Sequence, residues 1–122
     1  MRNFRNYDMW KNSIQISVEI YQATRAFPAF ETYGLGGQMQ RAAVSIASNI
    51  AEGAGRKSEK DFGHFLQISL GSAFEVETQL HIAYKLGYLT KDTLDDLLSK
   101  IYSIEKQLHE MILRLTSTKP KS

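Results

Sequence analysis

The sequence predicts an all-α protein, an antiparallel up-down-up-down four-helix bundle. Three observations predict it. Apolar residues recur at helical spacing through four separate stretches between Tyr7 and Leu115. Start and stop signals punctuate those stretches: Pro28, Gly34, Gly53 with Gly55, Ser58, Gly87 and Thr90. The connections left between them are short, so consecutive helices should pack as antiparallel neighbours. No strand-like alternation of useful length and no internal repeat interrupts the pattern. With 122 residues and 43% hydrophobic content, the chain suits a single domain with a substantial core.

The first helix is predicted over 7–26. Tyr7, Trp10, Ile14, Ser17, Val18 and Tyr21 form one apolar stripe, taken as the bundle seam, with Asn12, Gln15, Glu19 and Gln22 opposite. Ile16, Ile20, Ala23 and Phe27 form a second stripe to one side. One seam needs only one stripe, so the extra apolar width predicts contact with a second helix or another subunit. Pro28 disfavours helical geometry at Phe27 and ends the helix.

The second helix is predicted over 35–54, after turn residues Gly34, Gly36 and Gly37. That glycine run lacks the Walker lysine spacing and a preceding strand, so it reads as a turn rather than a phosphate loop. From Arg41 to Glu52 bulky side chains are almost absent. Leu35, Met39, Ala43, Ile46 and Ile50 share one stripe, and Arg41, Ser45, Ser48 and Glu52 another. So many small residues allow close backbone approach and place this helix inside the bundle.

The third helix is predicted over 59–86. Ser58 caps it, and Glu59 and Asp61 sit in the first turn, where the helix dipole favours acids. Its core stripe is Phe62, Leu66, Ser69, Ala73, Val76, Leu80 and Ala83. Gly71 costs about 1 kcal/mol relative to alanine inside a helix, and close packing against the second helix is the expected reason for it. Gly87 is expected to end the helix in the left-handed conformation. The fourth helix is predicted over 91–115, capped by Thr90, with the clearest amphipathic pattern of the chain. The polar tail 116–122 is expected to be disordered.

The run from Glu31 to Gly53 carries a resemblance. Glu31, Tyr33, Gly34, Leu35, Gln38, Arg41, Ala42, Ser45, Ile46, Asn49, Ile50, Ala51, Glu52 and Gly53 fit a spaced signature. Phe62, Phe65, Leu66, Gly71, Ser72, Glu75 and Glu77 through Leu80 fit a second block. In these the chain resembles the four-helix-bundle family of 23S ribosomal RNA intervening-sequence proteins. It departs at Ala47, where relatives often have proline, and at Gly37, where they have threonine or serine. It is also similar to the accessory variability protein of diversity-generating retroelements. The resemblance implies the bundle fold, a homo-oligomer (a pentamer favoured) and RNA or DNA as ligand. A protein partner, with the bundle as a scaffold and no nucleic-acid ligand, is the alternative.

Composition narrows the chemistry. There is no cysteine, hence no disulfide, thiolate or Cys-based zinc site. The start of the chain lacks the apolar run of a signal peptide, and no uncharged stretch is long enough to span a membrane, so a cytoplasmic protein is expected. No Gly-x-Ser-x-Gly elbow occurs, and the carboxylate pairs Glu75/Glu77 and Asp95/Asp96 do not share a helix face. An enzyme is not expected, nor a cofactor. Glu77 with His81 and Glu105 with His109 each set a carboxylate one turn from an imidazole. Bundle di-iron sites use Glu-x-x-His and further glutamates, and Glu19 is the obvious donor on the first helix. The two pairs are therefore expected to be helix-surface contacts rather than a metal site.

Two sets of polar residues remain. Arg41, Asn49, Glu52 and Glu75 are expected to form a structural network, with Arg41 paired to Glu75 and Glu52 to Arg56. Arg56, Lys57 and Lys60 cluster between the second and third helices, and Arg2, Arg5 and Lys11 cluster at the N-terminus. These six are the candidate nucleic-acid contacts. The net charge is only +2, but repetition in a ring multiplies a weak patch into a phosphate-binding surface.

Overall fold

The computed structural model describes residues 2–117. Its helices are α1 (Asp8–Thr24), α2 (Leu35–Ala54), α3 (Glu59–Lys85) and α4 (Lys91–Ser117), with single 3-10 turns at Phe4–Asn6 and Ala29–Glu31. No strand occurs among the described residues. Each helix packs on the next, and α4 closes back on α1. The pairs α1/α3 and α2/α4 lie across the diagonals without close backbone approach. This is the up-down-up-down bundle that the periodicity predicts. Thr116 and Ser117 extend α4 rather than belonging to a tail, and the remaining tail positions, 118–122, lie outside the described residues. Among the described residues no helix is long and apolar enough to cross a membrane.

The helix ends follow their caps. Ser58 Oγ accepts from the Asp61 amide at 3.0 Å, and Thr90 Oγ1 from the Thr93 amide at 3.1 Å. At the end of α3, Gly87 has φ +82°. Its amide donates to Tyr84 O and that of Tyr88 to Ala83 O, each at 2.9 Å, the pairing of a Schellman motif. The start of α2 differs from expectation. Gly36 and Gly37 are not turn residues but lie buried in the first helical turn. A Cβ on Gly37 would stand 2.7 Å from Thr32 O, and one on Gly36 3.0 Å from Glu31 O. These glycines let the preceding loop lie directly on the helix. Glu31 completes the junction: its Oε1 accepts from the Leu35 amide at 2.9 Å and its Oε2 from the Tyr88 hydroxyl at 3.0 Å.

The core is densest between α2 and α3. Met39, Ala43, Ile46 and Ile50 are fully buried against Leu66, Ser69, Ala73, Val76 and Leu80. The buried Ser69 hydroxyl donates across the seam to Ile46 O at 2.8 Å. Ala43→Leu is expected to cost about 1–3 kcal/mol through overpacking, read as a lower denaturant midpoint. An unchanged midpoint would place Ala43 outside the seam. Gly71 plays no part here. It is exposed, and a Cβ on it would meet nothing within 4 Å. The close approach is made instead at Gly53, where a Cβ would stand 2.7 Å from Phe65 Cβ and 3.2 Å from Phe62 O.

On α1 the two stripes exchange roles. Ile16 and Ile20 are fully buried, in line with Met9, Ser13, Thr24 and Phe27. Ile14, Val18 and Tyr21, assigned from sequence to the seam, face outward at 43%, 46% and 44% exposure. The inner stripe is longer than its apolar letters suggest, because Ser13 and Thr24 satisfy their own hydroxyls. Ser13 donates to Met9 O and Thr24 to Ile20 O. α4 is tied to α1 by Lys100 Nζ, which lies 2.6 Å from Glu19 Oε1 and 3.1 Å from Asp96 Oδ2.

Candidate nucleic-acid interface

One end of the bundle gathers the start of α1, the end of α2, the start of α3 and the end of α4. Because Gly53 has no side chain, Phe62 and Phe65 come down onto the end of α2. Each ring then carries a guanidinium: Arg2 Cζ lies 4.6 Å from the Phe62 centroid and Arg56 Cζ 4.6 Å from that of Phe65. Cation–π contacts of this kind are worth about 0.5–1 kcal/mol at exposed sites. Tyr7 stacks on Phe62 at 6.3 Å, anchoring the N-terminal segment. Arg2 Nη1 donates to Arg56 O at 2.6 Å and to Ala54 O at 3.4 Å.

The two basic clusters separated in sequence are therefore partly one in space. Arg2, Arg56 and Lys57 line a single concavity of about 500 Å³ with Ala54 and Gly55. Lys60 faces the neighbouring concavity, of about 510 Å³, between α3 and α4. Arg5 sits over the Phe4 ring at 4.6 Å. Lys11 is exposed on α1 and lines neither concavity. The cations are not equivalent. Arg56 already pairs with Glu52 at 2.9 Å, as the sequence predicts. Lys57, Lys60 and Lys11 make no ion pair or hydrogen bond through their side chains among the described residues. Nothing in the sequence signalled that Arg2 would reach the α2–α3 turn, since the two are linked only by the folded bundle.

The expected structural network forms only in part. Asn49 donates to Ser45 O and Ser45 Oγ, each at 2.9 Å, and Ser45 Oγ meets Ser72 Oγ at 2.8 Å across the seam. Arg41 and Glu75 do not pair. Both are exposed, Arg41 has no side-chain partner among the described residues, and Glu75 accepts only from Gln79 at 3.3 Å. The physical reason is that α2 is small-sided around most of its circumference, so a charge among alanines need not be enclosed.

The Glu–His pairs also differ from expectation. Neither Glu77–His81 nor Glu105–His109 is bonded among the described residues. Instead α3 and α4 bring Glu77 and Glu105 together. Burial first, and then the hydrogen bond and charge of Glu77, push the Glu105 carboxyl up to about 8. Glu105 Oε2 is buried and receives no hydrogen bond among the described residues. A proton retained on Glu105 lets it donate to Glu77 and relieves the repulsion of two adjacent carboxylates. No group of three or more His, Asp or Glu side chains able to hold a metal ion occurs among the described residues.

Similarity to known proteins accords with this architecture. A protein of unknown function from the S23 ribosomal protein family of Bacteroides thetaiotaomicron superposes with a TM-score of 0.79 at 25% sequence identity, over 85% of this chain and 94% of its own. No curated protein matches. The model of the family described as 23S rRNA-intervening sequence protein matches residues 5–110. That span runs from the 3-10 turn before α1 well into α4 and takes in the Gly53 contact, the Ser45–Ser72 seam and the Glu31 cap, so the chain belongs to the 23S rRNA-intervening sequence protein family.

Proposed function

We propose that this is a cytoplasmic, non-enzymatic helical bundle that assembles with copies of itself and holds the phosphate backbone of RNA or DNA at its basic end. The observation that carries the reading is the convergence of Arg2, Arg56 and Lys57 on one concavity. Guanidinium groups held on aromatic faces, with an unpaired lysine beside them, form a set suited to binding anions. A net charge of +2 gives a single copy little long-range pull, so affinity depends on several copies presenting this end together. The resemblance implies five.

Protein freed of carried-over nucleic acid should shift short RNA and DNA oligomers with little sequence preference. Binding should weaken steeply between low and physiological salt, since phosphate neutralisation releases counterions. Lys57→Gln with Lys60→Gln is expected to lower both the affinity and the salt slope, the slope by roughly 0.9 for each duplex phosphate no longer neutralised. Arg56→Gln should do less, because Glu52 already compensates that charge. Absence of any shift at low salt would overturn the nucleic-acid reading. A scaffold that contacts protein alone is the second reading, favoured by the outward apolar stripe of α1.

A further inference from the structure

We infer that copies of this chain join head to tail, the outer stripe of α3 in one copy seating in the groove between α1 and α2 of the next, with α3 parallel to α1. This arrangement presupposes the self-assembly proposed above and adds which faces meet. The groove has a volume of about 430 Å³, with Ile14, Val18 and Tyr21 on one wall, Val44 and Ala47 on the other, and Arg25 at one end. Gln40 Nε2 donates to Thr24 Oγ1 at 2.9 Å. That bond sets the next residues, Arg25 and Arg41, level with each other. Both are exposed, and neither guanidinium has a hydrogen bond or ion pair among the described residues. The groove is thus an apolar trough with the uncompensated Arg25 at its end and Arg41 beyond its lining.

Its occupant should be an apolar ridge bearing an acid, and the chain carries one. Ile68, Gly71, Glu75 and Ile82 follow one another at helical spacing on α3, all exposed, with Ile68 at 41% and Ile82 at 45%. The buried stripe of Phe62, Leu66, Ala73 and Leu80 occupies the opposite side of the helix. Between Ile68 and Ile82 Glu75 is the only acid on that ridge, and Gln79, at 3.3 Å, is its one partner among the described residues. Setting Glu75 level with Arg25 and running the helices in the same direction places Gly71 against Tyr21 and Ile68 against Val18. The two stripes keep step because both retreat by four residues and then three. The open space at Gly71, where a Cβ would meet nothing within 4 Å, receives the ring of Tyr21. The reverse direction would set Tyr21 against Thr78 and leave that space unfilled.

The direction also agrees with the topology. In an up-down-up-down bundle α1 and α3 run the same way, so copies related by rotation about an axis along the bundle present these helices to each other in parallel. Contacts between two different faces close into a ring or run on as a helix of copies. Every basic end then lies on the same rim, which is the repetition that phosphate binding requires.

The absence of cysteine makes a clean cross-linking test available. Within one copy α1 and α3 are diagonal and do not approach, so a disulfide between them must join two copies. Val18→Cys combined with Ile68→Cys should give, under mild oxidation, a ladder of covalent multiples of the 13.9 kDa chain. Val18→Cys combined with Ile82→Cys, which matches the reverse direction, should not. Val18→Cys alone should not either, and dimers from it would mean a two-fold interface. Cross-linking in either control overturns the arrangement. By light scattering, Glu75→Arg should reduce the assembly to single chains, and adding Arg25→Glu and Arg41→Glu should restore it. If the unsubstituted chain is a monomer at micromolar concentration, the self-assembly reading fails and this one with it. If it assembles but the Val18→Cys, Ile68→Cys chain forms no ladder, the faces assigned here are wrong and self-assembly stands.

Discussion

Replacing Gly53 by alanine is expected to destabilise the bundle by about 1–3 kcal/mol, whereas the same replacement at Gly71 should stabilise it by about 1 kcal/mol. Both glycines lie in helices, where propensity favours alanine, less strongly at Gly53 because it is the last residue but one of α2. The difference is what the new methyl meets. At Gly53 it would stand 2.7 Å from Phe65 Cβ and 3.1 Å from Phe62 Cδ1. The Phe65 Cβ is fixed to the backbone of α3 and cannot swing away, so α2 and α3 must separate. That movement would also disturb the aromatic faces under Arg2 and Arg56, so under the function proposed above the affinity for nucleic acid should fall together with stability. At Gly71 nothing lies within 4 Å. Denaturant midpoints measured in the Glu75→Arg background keep assembly out of the comparison. Shifts of the same sign at both positions would show that space at Gly53 is not the deciding factor.

The second large effect is expected with pH. The Glu105 carboxyl ionises near the ordinary value of 4.5 when unfolded and at about 8 in the bundle. Below 4.5 both states hold the proton. Between 4.5 and about 8 the folded state keeps a proton that the unfolded state has lost, so raising the pH favours unfolding. Above 8 both states are ionised and the dependence flattens. Glu105→Gln removes this contribution and keeps a donor toward Glu77. The melting temperature of the unsubstituted chain should therefore fall steadily relative to that of the glutamine variant from pH 5 to pH 8. Parallel curves across that range would mean that Glu105 is ionised in the bundle at neutral pH.

The fold was legible because the helices announce themselves at several levels at once. On α4, Leu94, Leu97, Leu98, Ile101, Ile104, Leu108 and Ile112 are apolar in sequence and buried in space. On α3 the whole predicted stripe from Phe62 to Ala83 is buried. The capping hydroxyls of Ser58 and Thr90 bond as their positions predict. Periodicity misleads where one helix offers two apolar faces. Ile14, Val18 and Tyr21 are apolar like Ile16 and Ile20, and apolar spacing alone does not say which set meets α2 and α4. Ser13 and Thr24 held the missing signal, since a short hydroxyl side chain can return its bond to the preceding turn and continue a buried stripe.

The candidate site was legible as composition but not as geometry. Arg56, Lys57 and Lys60 are neighbours in sequence, and their closeness needed no fold to predict it. That Arg2 should reach across to the Arg56 carbonyl depends on Tyr7 stacking on Phe62 and on the missing side chain at Gly53. The Arg2–Arg56 and Tyr7–Phe62 contacts join segments more than fifty positions apart, about which periodicity is silent. The same holds for Glu77 and Glu105, which two separate helices carry to one place. Arg41 misled for a different reason. Among alanines and serines a lone charge looks enclosed, yet small residues mark close packing only on the side that faces another helix.

Gly87 has a consequence that concerns handedness. It carries the only positive φ among the described residues, where an ordinary side chain is strained and a mirror-image one is at ease. The chain thus turns back from α3 to α4 through its one achiral kind of residue, in a conformation native to D-amino acids. In a chemically synthesised chain, D-alanine at this position would keep the Tyr84 and Ala83 carbonyls capped while narrowing the conformations open to the unfolded state. L-alanine would restrict the unfolded chain in the same way but would have to hold the folded turn against its own chirality.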